Sequence, residues 1–272
     1  GNHRYVTLDP YEGTRAAVAE AARNLVCTGA RPAAVTNCLN FGNPQRPEVF
    51  WQLQESLRGL ADACRELGLP VVSGNVSLYN ETSGRSIPPT PVIGMVGVID
   101  DLDHRCAAAF QQDGDLVFLL GESREELAGS EFLAFLSQPL SGKPPLVDLE
   151  HESRLQAALL ECTGLDVLRS AHDVSDGGLL VTLAESVLFG SRGLRSPAVV
   201  GSVSAAALYF GESQGRVVVS VAPRRVPELQ AVMARHRIPL QALGVVGGEF
   251  FQVGPEIHIS LSTLREAWET PF

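Results

Sequence analysis

The chain has 272 residues, 45% of them hydrophobic, and a formal net charge of −10. At ~150 residues per domain this length suits roughly two globular domains, and the composition excludes disorder as the main state. The acidic balance lacks the positive field that draws a nucleic-acid partner, and no apolar run reaches the ~18 residues of a membrane span, so neither nucleic acid nor membrane is expected as a partner.

The start, Gly1-Asn2-His3-Arg4-Tyr5, carries no Met and no signal peptide, and reads as cut from a longer chain or processed. Residues 5–8 read as the end of a strand or a loop. Residues 13–27 predict a helix, because Ala17, Ala21 and Leu25 recur at i, i+4 spacing with Val18 beside them. That stripe is rich in alanine, which predicts close packing on a neighbour, and Gly29 is placed to end it. Residues 33–39 predict a buried strand, followed by the turn residues Asn40-Phe41-Gly42-Asn43-Pro44. Residues 47–67 predict the longest helix, stopped by Gly68. A strand starts at Pro70 and runs into Gly74-Asn75-Val76-Ser77. Pro88 to Pro91 is stiff and extended, and residues 92–99 predict a further strand.

A boundary falls at Asp100-Asp101-Leu102-Asp103, after which the alternation begins again. Strands are predicted at residues 115–121, 167–173, 216–221, 243–247 and 257–261. Helices are predicted at 148–163, with Asp148 as N-cap, at 175–189, and at 226–237. The acidic stretch Glu122 to Glu126 reads as a solvated helix face. The alternation supports α/β or α+β layering in each part. Five cysteines, Cys27, Cys38, Cys64, Cys106 and Cys162, are scattered without a Cys-x-x-Cys pair, which points to a reducing, cytoplasmic location.

Four segments can carry chemistry. In Thr36-Asn37-Cys38-Leu39-Asn40 a strand ends in amides, where α/β proteins place ligands; turn-capping by the same amides is the alternative. In Gly74-Asn75-Val76-Ser77 the glycine admits a ligand to the backbone, the Asn oxygen suits Mg²⁺, and the serine can donate to a phosphate; a tight turn is the alternative. Asp173-Val174-Ser175-Asp176-Gly177-Gly178 opens a helix whose N–H groups can hold an anion, with Asp176 as N-cap the favoured reading. His172 beside Asp173 makes a weak dyad, since neighbours in a strand face opposite ways. Glu212-Ser213-Gln214 can grip a polar molecule, but a solvated turn is the commoner use of such a loop.

Together, Asn37 to Pro44, Gly74 to Glu81, Pro88 to Gly97, Asp173 to Gly178 and Gly211-Glu212-Ser213 resemble the C-terminal half of the synthetase subunit family of phosphoribosylformylglycinamidine synthases. The resemblance runs from about Tyr5 to the end. It implies an α/β (α+β) chain: a ferredoxin-like N-terminal domain at 1–102, then a second α/β domain of the aminoimidazole-ribonucleotide-synthetase-like fold at 103–272. It implies an ATP-dependent ligase of de novo purine synthesis that turns formylglycinamide ribonucleotide and glutamine-derived ammonia into the amidine. The implied cofactors are ATP and Mg²⁺. The implied partners are the missing N-terminal half, a glutaminase subunit and a small third subunit, with a self-dimer expected if the chain is alone. By resemblance Asn37 and Gly74 contact ATP, Asn75 ligates Mg²⁺ and Ser77 touches the ribonucleotide. The family usually has Asp at the position of Asn37, so this chain offers a neutral amide there. Glu212, Ser213 and Gln214 resemble a substrate-binding segment of the other half. The family's catalytic His, its ATP-binding Lys and most of its carboxylate metal ligands belong to that other half, so the chain alone is expected to be inactive. A non-catalytic, nucleotide-binding scaffold half is the competing expectation, favoured by Asn37.

Overall fold

The computed structural model describes residues 1–270; residues 271 and 272, the end of the expected second domain, lie outside the described residues. The first part holds α1 (His3–Leu8), α2 (Pro10–Cys27), β1 (Arg31–Asn40), α3 (Pro47–Glu66), β2 (Val71–Ser77), the two-residue strands β3 (Glu81–Thr82) and β4 (Arg85–Ser86), and β5 (Thr90–Val98). The three long strands form one sheet in the order β2-β1-β5, parallel across β1–β2 and antiparallel across β1–β5. One face is covered. Ala16, Ala19 and Ala22 of α2 meet Leu60 and Ala63 of α3 over Val35, and Ile93 and Met95 pack against that cluster. The opposite face is bare, with Val92, Val96 and Val98 of β5 all exposed and Val96 at 63%.

Residues 5–8, expected as strand end or loop, are helical. Asn2 supplies the N-cap, accepting from the N–H groups of Arg4 and Tyr5, and Tyr5 and Val6 are buried. The helix lies close on α2 because Gly13 has no side chain: a Cβ there would stand 2.5 Å from the nitrogen of Val6. A cap and two apolar residues are too short a signal for periodicity to find.

The second part holds β6 (Leu116–Leu120), α4 (Glu131–Phe135), α5 (Leu149–Gly164), β7 (Ser170–Asp173), α6 (Gly178–Gly190), β8 (Leu194–Ser196), α7 (Ala205–Phe210), β9 (Val217–Val221), α8 (Val226–His236), β10 (Leu240–Val246), β11 (Phe250–Val253), β12 (Ile257–Ser260) and α9 (Leu261–Glu269). Its sheet has the order β12-β11-β8-β10-β6-β9-β7. The central strands are buried on both faces, so Val217 to Val221 are all buried and apolar apart from Ser220, whose hydroxyl is bonded to that of Ser170 at 2.6 Å. Phe118, Leu120, Val217, Val219 and Val221 face α5 and α8. Val117, Leu119 and Val218 face α6. Asp148 caps α5 as expected, accepting from the N–H of His151 at 2.9 Å.

Two further expectations change. The stretch Glu122 to Glu126 is not helical. Its carboxylates serve as fixed acceptors, Glu125 for the N–H of Ser204 at 2.7 Å and Glu126 for that of Leu146 at 3.1 Å. Asp176 does not cap α6; the N-cap is Gly177, which has a φ of 81° and no side chain to serve as a cap.

Candidate functional site

The expected site residues all lie in the first sheet, and its register sorts them onto two faces. Asn37 stands between Gly74 and Ile93, and Ile93 packs toward the helices, so Asn37 and Gly74 share the helix side. A Cβ at Gly74 would stand 2.8 Å from Asn37 Oδ1, so the glycine leaves room for that carboxamide. Cys38 stands between Asn75 and the exposed Val92, which puts Asn75 on the bare face. Its Oδ1 lies 3.8 Å from Cys38 Sγ. Ser77 is in register with Asn40, two positions further along that face.

The other amides of these motifs close turns. Asn40 Nδ2 donates to the carbonyls of Cys38 and Thr90, each at 3.2 Å. Asn43 accepts from the N–H of Gln45 at 2.9 Å. Asn80 Nδ2 donates to the carbonyls of Phe41 and Ser77, at 3.1 and 3.0 Å, and to Ser77 Oγ at 3.1 Å. Asn37 has no such local use among the described residues, and Asn75 has only its contact with Cys38. β2 is an edge strand, so a ligand lying along that edge reaches both faces at once. Asn75 offers a hard oxygen of the kind Mg²⁺ takes, with phosphate oxygens and water completing such a shell. Among the described residues no three His, Cys, Asp or Glu side chains gather as a metal site.

A second polar group lies between the two parts. The segment Glu212 to Gln214 is buried rather than solvated, with Glu212 at 1% exposure. Glu212 accepts from the Tyr5 hydroxyl, and its Oε1 also accepts from the N–H groups of Gly177 and Glu131, each at 2.8 Å. One carboxylate therefore stands at the start of both α6 and α4, the place expected for Asp176. Ser213 Oγ accepts from the N–H of Arg124 at 3.1 Å. Gln214 Oε1 accepts from Arg23 Nη2 at 3.0 Å. Arg216 is fully buried and donates to the carbonyls of Ser213 and Gly211 and to Ser123 Oγ. Burial pulls its guanidinium down to about 10.

Arg23, from α2, is the centre of this group. It pairs with Glu152 of α5 and stands 3.9 Å from Asp173 at the end of β7. Glu20, one turn earlier on α2, is pushed up to about 7: burial dominates, Arg23 pulls the other way, and Asp173 and Asp176 add to the rise. His172 lies 2.9 Å from Glu185 and 3.8 Å from Asp173. Burial opposes its charge, but the hydrogen bonds and charges of Asp173 and Glu185 outweigh that and hold it up at about 9. The sequence reading missed Tyr5, Glu20, Arg23 and Glu152. The available signal was Arg23 itself, a charge inside the buried run Ala19, Ala22, Val26.

These features define a class: a two-part α/β chain with a small mixed sheet bare on one face, an ionic clasp to a larger sheet, and amide-bearing strand ends. The AIR synthase related protein N-terminal domain matches residues 1–99, and the AIR synthase related protein C-terminal domain matches residues 112–253. The chain belongs to this AIR synthase related family. Among curated relatives, the phosphoribosylformylglycinamidine synthase subunit PurL of Thermobifida fusca is 49% identical over 274 residues, covering 99% of this chain and 35% of that protein. That of Thermomicrobium roseum is 49% identical, covering 99% and 37%. The chain thus spans little more than a third of the length of these relatives. Among solved structures, Thermotoga maritima PurL complexed with FGAR superposes with a TM-score of 0.78 at 19% identity, over 97% of this chain and 44% of that one. The same protein complexed with ATP gives 0.74 at 18%, over 95% and 42%. At that identity the likeness establishes the AIR synthase-like fold.

Proposed function

We propose that the chain is the C-terminal half of an ATP-dependent ligase that converts formylglycinamide ribonucleotide and ammonia from glutamine into formylglycinamidine ribonucleotide. One observation carries this reading: similarity to proteins named PurL runs at 42–49% identity along 98–100% of the chain. In this reading residues 1–102 and 103–272 are its two domains. ATP lies along the edge of β2 against Asn37 and Gly74, Asn75 gives one oxygen to Mg²⁺, and Ser77 bonds the ribonucleotide. Bound Mg²⁺ would neutralise phosphate charge during transfer to the amide oxygen. The cationic groups that phosphoryl transfer needs come from the N-terminal half, so this half alone is inactive.

The bare face of the first sheet, with Val92, Val96 and Val98 exposed, fits pairing with a second such sheet. The N-terminal half supplies that sheet in the full subunit, and a second copy does so when the chain is alone. The glutaminase and the small third subunit are the further partners, and the location is cytoplasmic. Among the described residues no helix is long and apolar enough to cross a membrane.

A scaffold half without a catalytic role is the second reading. The observation favouring it is that Glu212, Ser213 and Gln214, which resemble a substrate-binding segment, are all engaged inside the chain. A steady-state assay separates the two. Mixed with the N-terminal half, the chain should support ammonia-dependent ADP release on addition of formylglycinamide ribonucleotide. Turnover that survives Asn75→Ala and Ser77→Ala unchanged supports the scaffold reading; no turnover in any mixture contradicts the ligase assignment.

A further inference from the structure

Lys143 is the one lysine, so nearly all positive charge in this acidic chain is guanidinium. Four arginines gather around two adjoining clefts of about 400 and about 90 Å³ near the start of β7. Arg105 and Arg169 line the larger, Arg169, Arg224 and Arg225 the smaller, and Asp166 and Arg169 are common to both. The walls are tied down. Cys106 N–H donates to the Thr28 carbonyl at 3.0 Å, Ala171 N–H to Ala107 at 3.0 Å, and Arg169 N–H to Ser220 at 2.8 Å. Arg225 is pinned by the Leu165 carbonyl and by Glu228 at 3.3 Å, and its buried Nε has no acceptor among the described residues.

The side chains of Arg169 and Arg224 have no ion-pair partner among the described residues, although Asp103 and Asp166 stand in the same walls. Guanidinium groups brought together repel, and an oxyanion removes that repulsion. The planar fork of arginine matches two phosphate oxygens at once. The two aspartates in the walls are acceptors, which a bare oxyanion leaves unused and a hydroxyl satisfies.

We propose that this double cleft binds a phosphate-bearing sugar metabolite, with phosphate oxygens on Arg105, Arg169 and Arg224 and hydroxyl groups toward Asp103 and Asp166. None of these residues lies in β1 or β2, so the site is separate from the one along the edge of the first sheet. The test is calorimetric titration of the chain at low salt with ribose 5-phosphate, and separately with inorganic phosphate. Ribose 5-phosphate should bind once per chain and more tightly than inorganic phosphate. Arg169→Ala should weaken it about ten-fold or more, the loss expected for a charge-assisted pair of bonds. Arg224 is exposed, so Arg224→Ala keeps the fold and should also weaken binding. Absence of binding, equal affinity for both probes, affinity unchanged by Arg224→Ala, or affinity lost in Asn75→Ala would each overturn the proposal.

Discussion

The Tyr5 hydroxyl donates to Glu212 across 207 positions of sequence. The same carboxylate accepts from the N–H of Glu131, the first of α4, and from that of Gly177, the N-cap of α6, so three chain segments meet on one side chain. Burial and the nearby Glu212 push the Tyr5 hydroxyl well up, which keeps it a donor. Tyr5→Phe keeps the ring and removes only that bond. It should destabilise the chain by about 1–3 kcal/mol, the range for a buried polar group left short of a partner. Urea unfolding with an unchanged midpoint would contradict this role.

Arg23→Met should cost more. It leaves Glu152 buried without its counter-ion and Asp173 with His172 alone, a change of about 3–5 kcal/mol. Adding Glu152→Met should recover part of the loss, because a matched apolar pair no longer buries one unpaired charge. Additive losses in the double variant would contradict the pairing.

The pH dependence follows from two raised values. Glu20, at about 7 in the fold, binds its proton more tightly than in the unfolded chain, where 4.5 is normal. Stability should therefore fall as pH rises from 4.5 to 7. His172, held at about 9 against an ordinary 6.5, gives stability that is complete below 6.5 and lost as pH rises through 9. Thermal unfolding across pH should show Glu20→Gln flattening the lower window and Glu185→Gln the upper one. The same slopes in both variants would contradict the assignments.

On the first sheet, Asn75→Ala in the reassembled subunit should raise the Mg²⁺ concentration needed for half-maximal turnover. Ser77→Ala should raise KM for the ribonucleotide about two- to ten-fold, the worth of roughly 0.5–1.5 kcal/mol for one hydrogen bond. Kinetics with unchanged metal dependence and unchanged KM would remove both residues from the site.

Val96→Glu should abolish self-association by placing a charge on the bare sheet face. Light scattering showing the unsubstituted chain to be a clean monomer would contradict the pairing of that face.

The regular elements were legible because their signals are local. The i, i+4 alanines of α2, the apolar run of β9 and the Asp148 cap of α5 each contain their own cause. α1, α4 and α7 are too short for periodicity, and their caps are single side chains such as Asn2, Ser130 and Ser204. The clasp was illegible for a different reason. Glu212 reads as a loop residue until Tyr5, Gly177 and Glu131 are brought to it from three distant places. The motif Gly74 to Ser77 was visible as a motif, but the division of Asn37 and Asn75 between two faces depends on the register of β1 against β2 and β5.

The central claim is that this half completes a shared nucleotide site from one side. Calorimetric titration of ATP with Mg²⁺ into the chain alone, and then into its mixture with the N-terminal half, tests it most directly. The account predicts binding in the mixture that weakens with Asn75→Ala, and little or none in the chain alone. Full-strength binding by the chain alone, indifferent to Asn75→Ala, would contradict it.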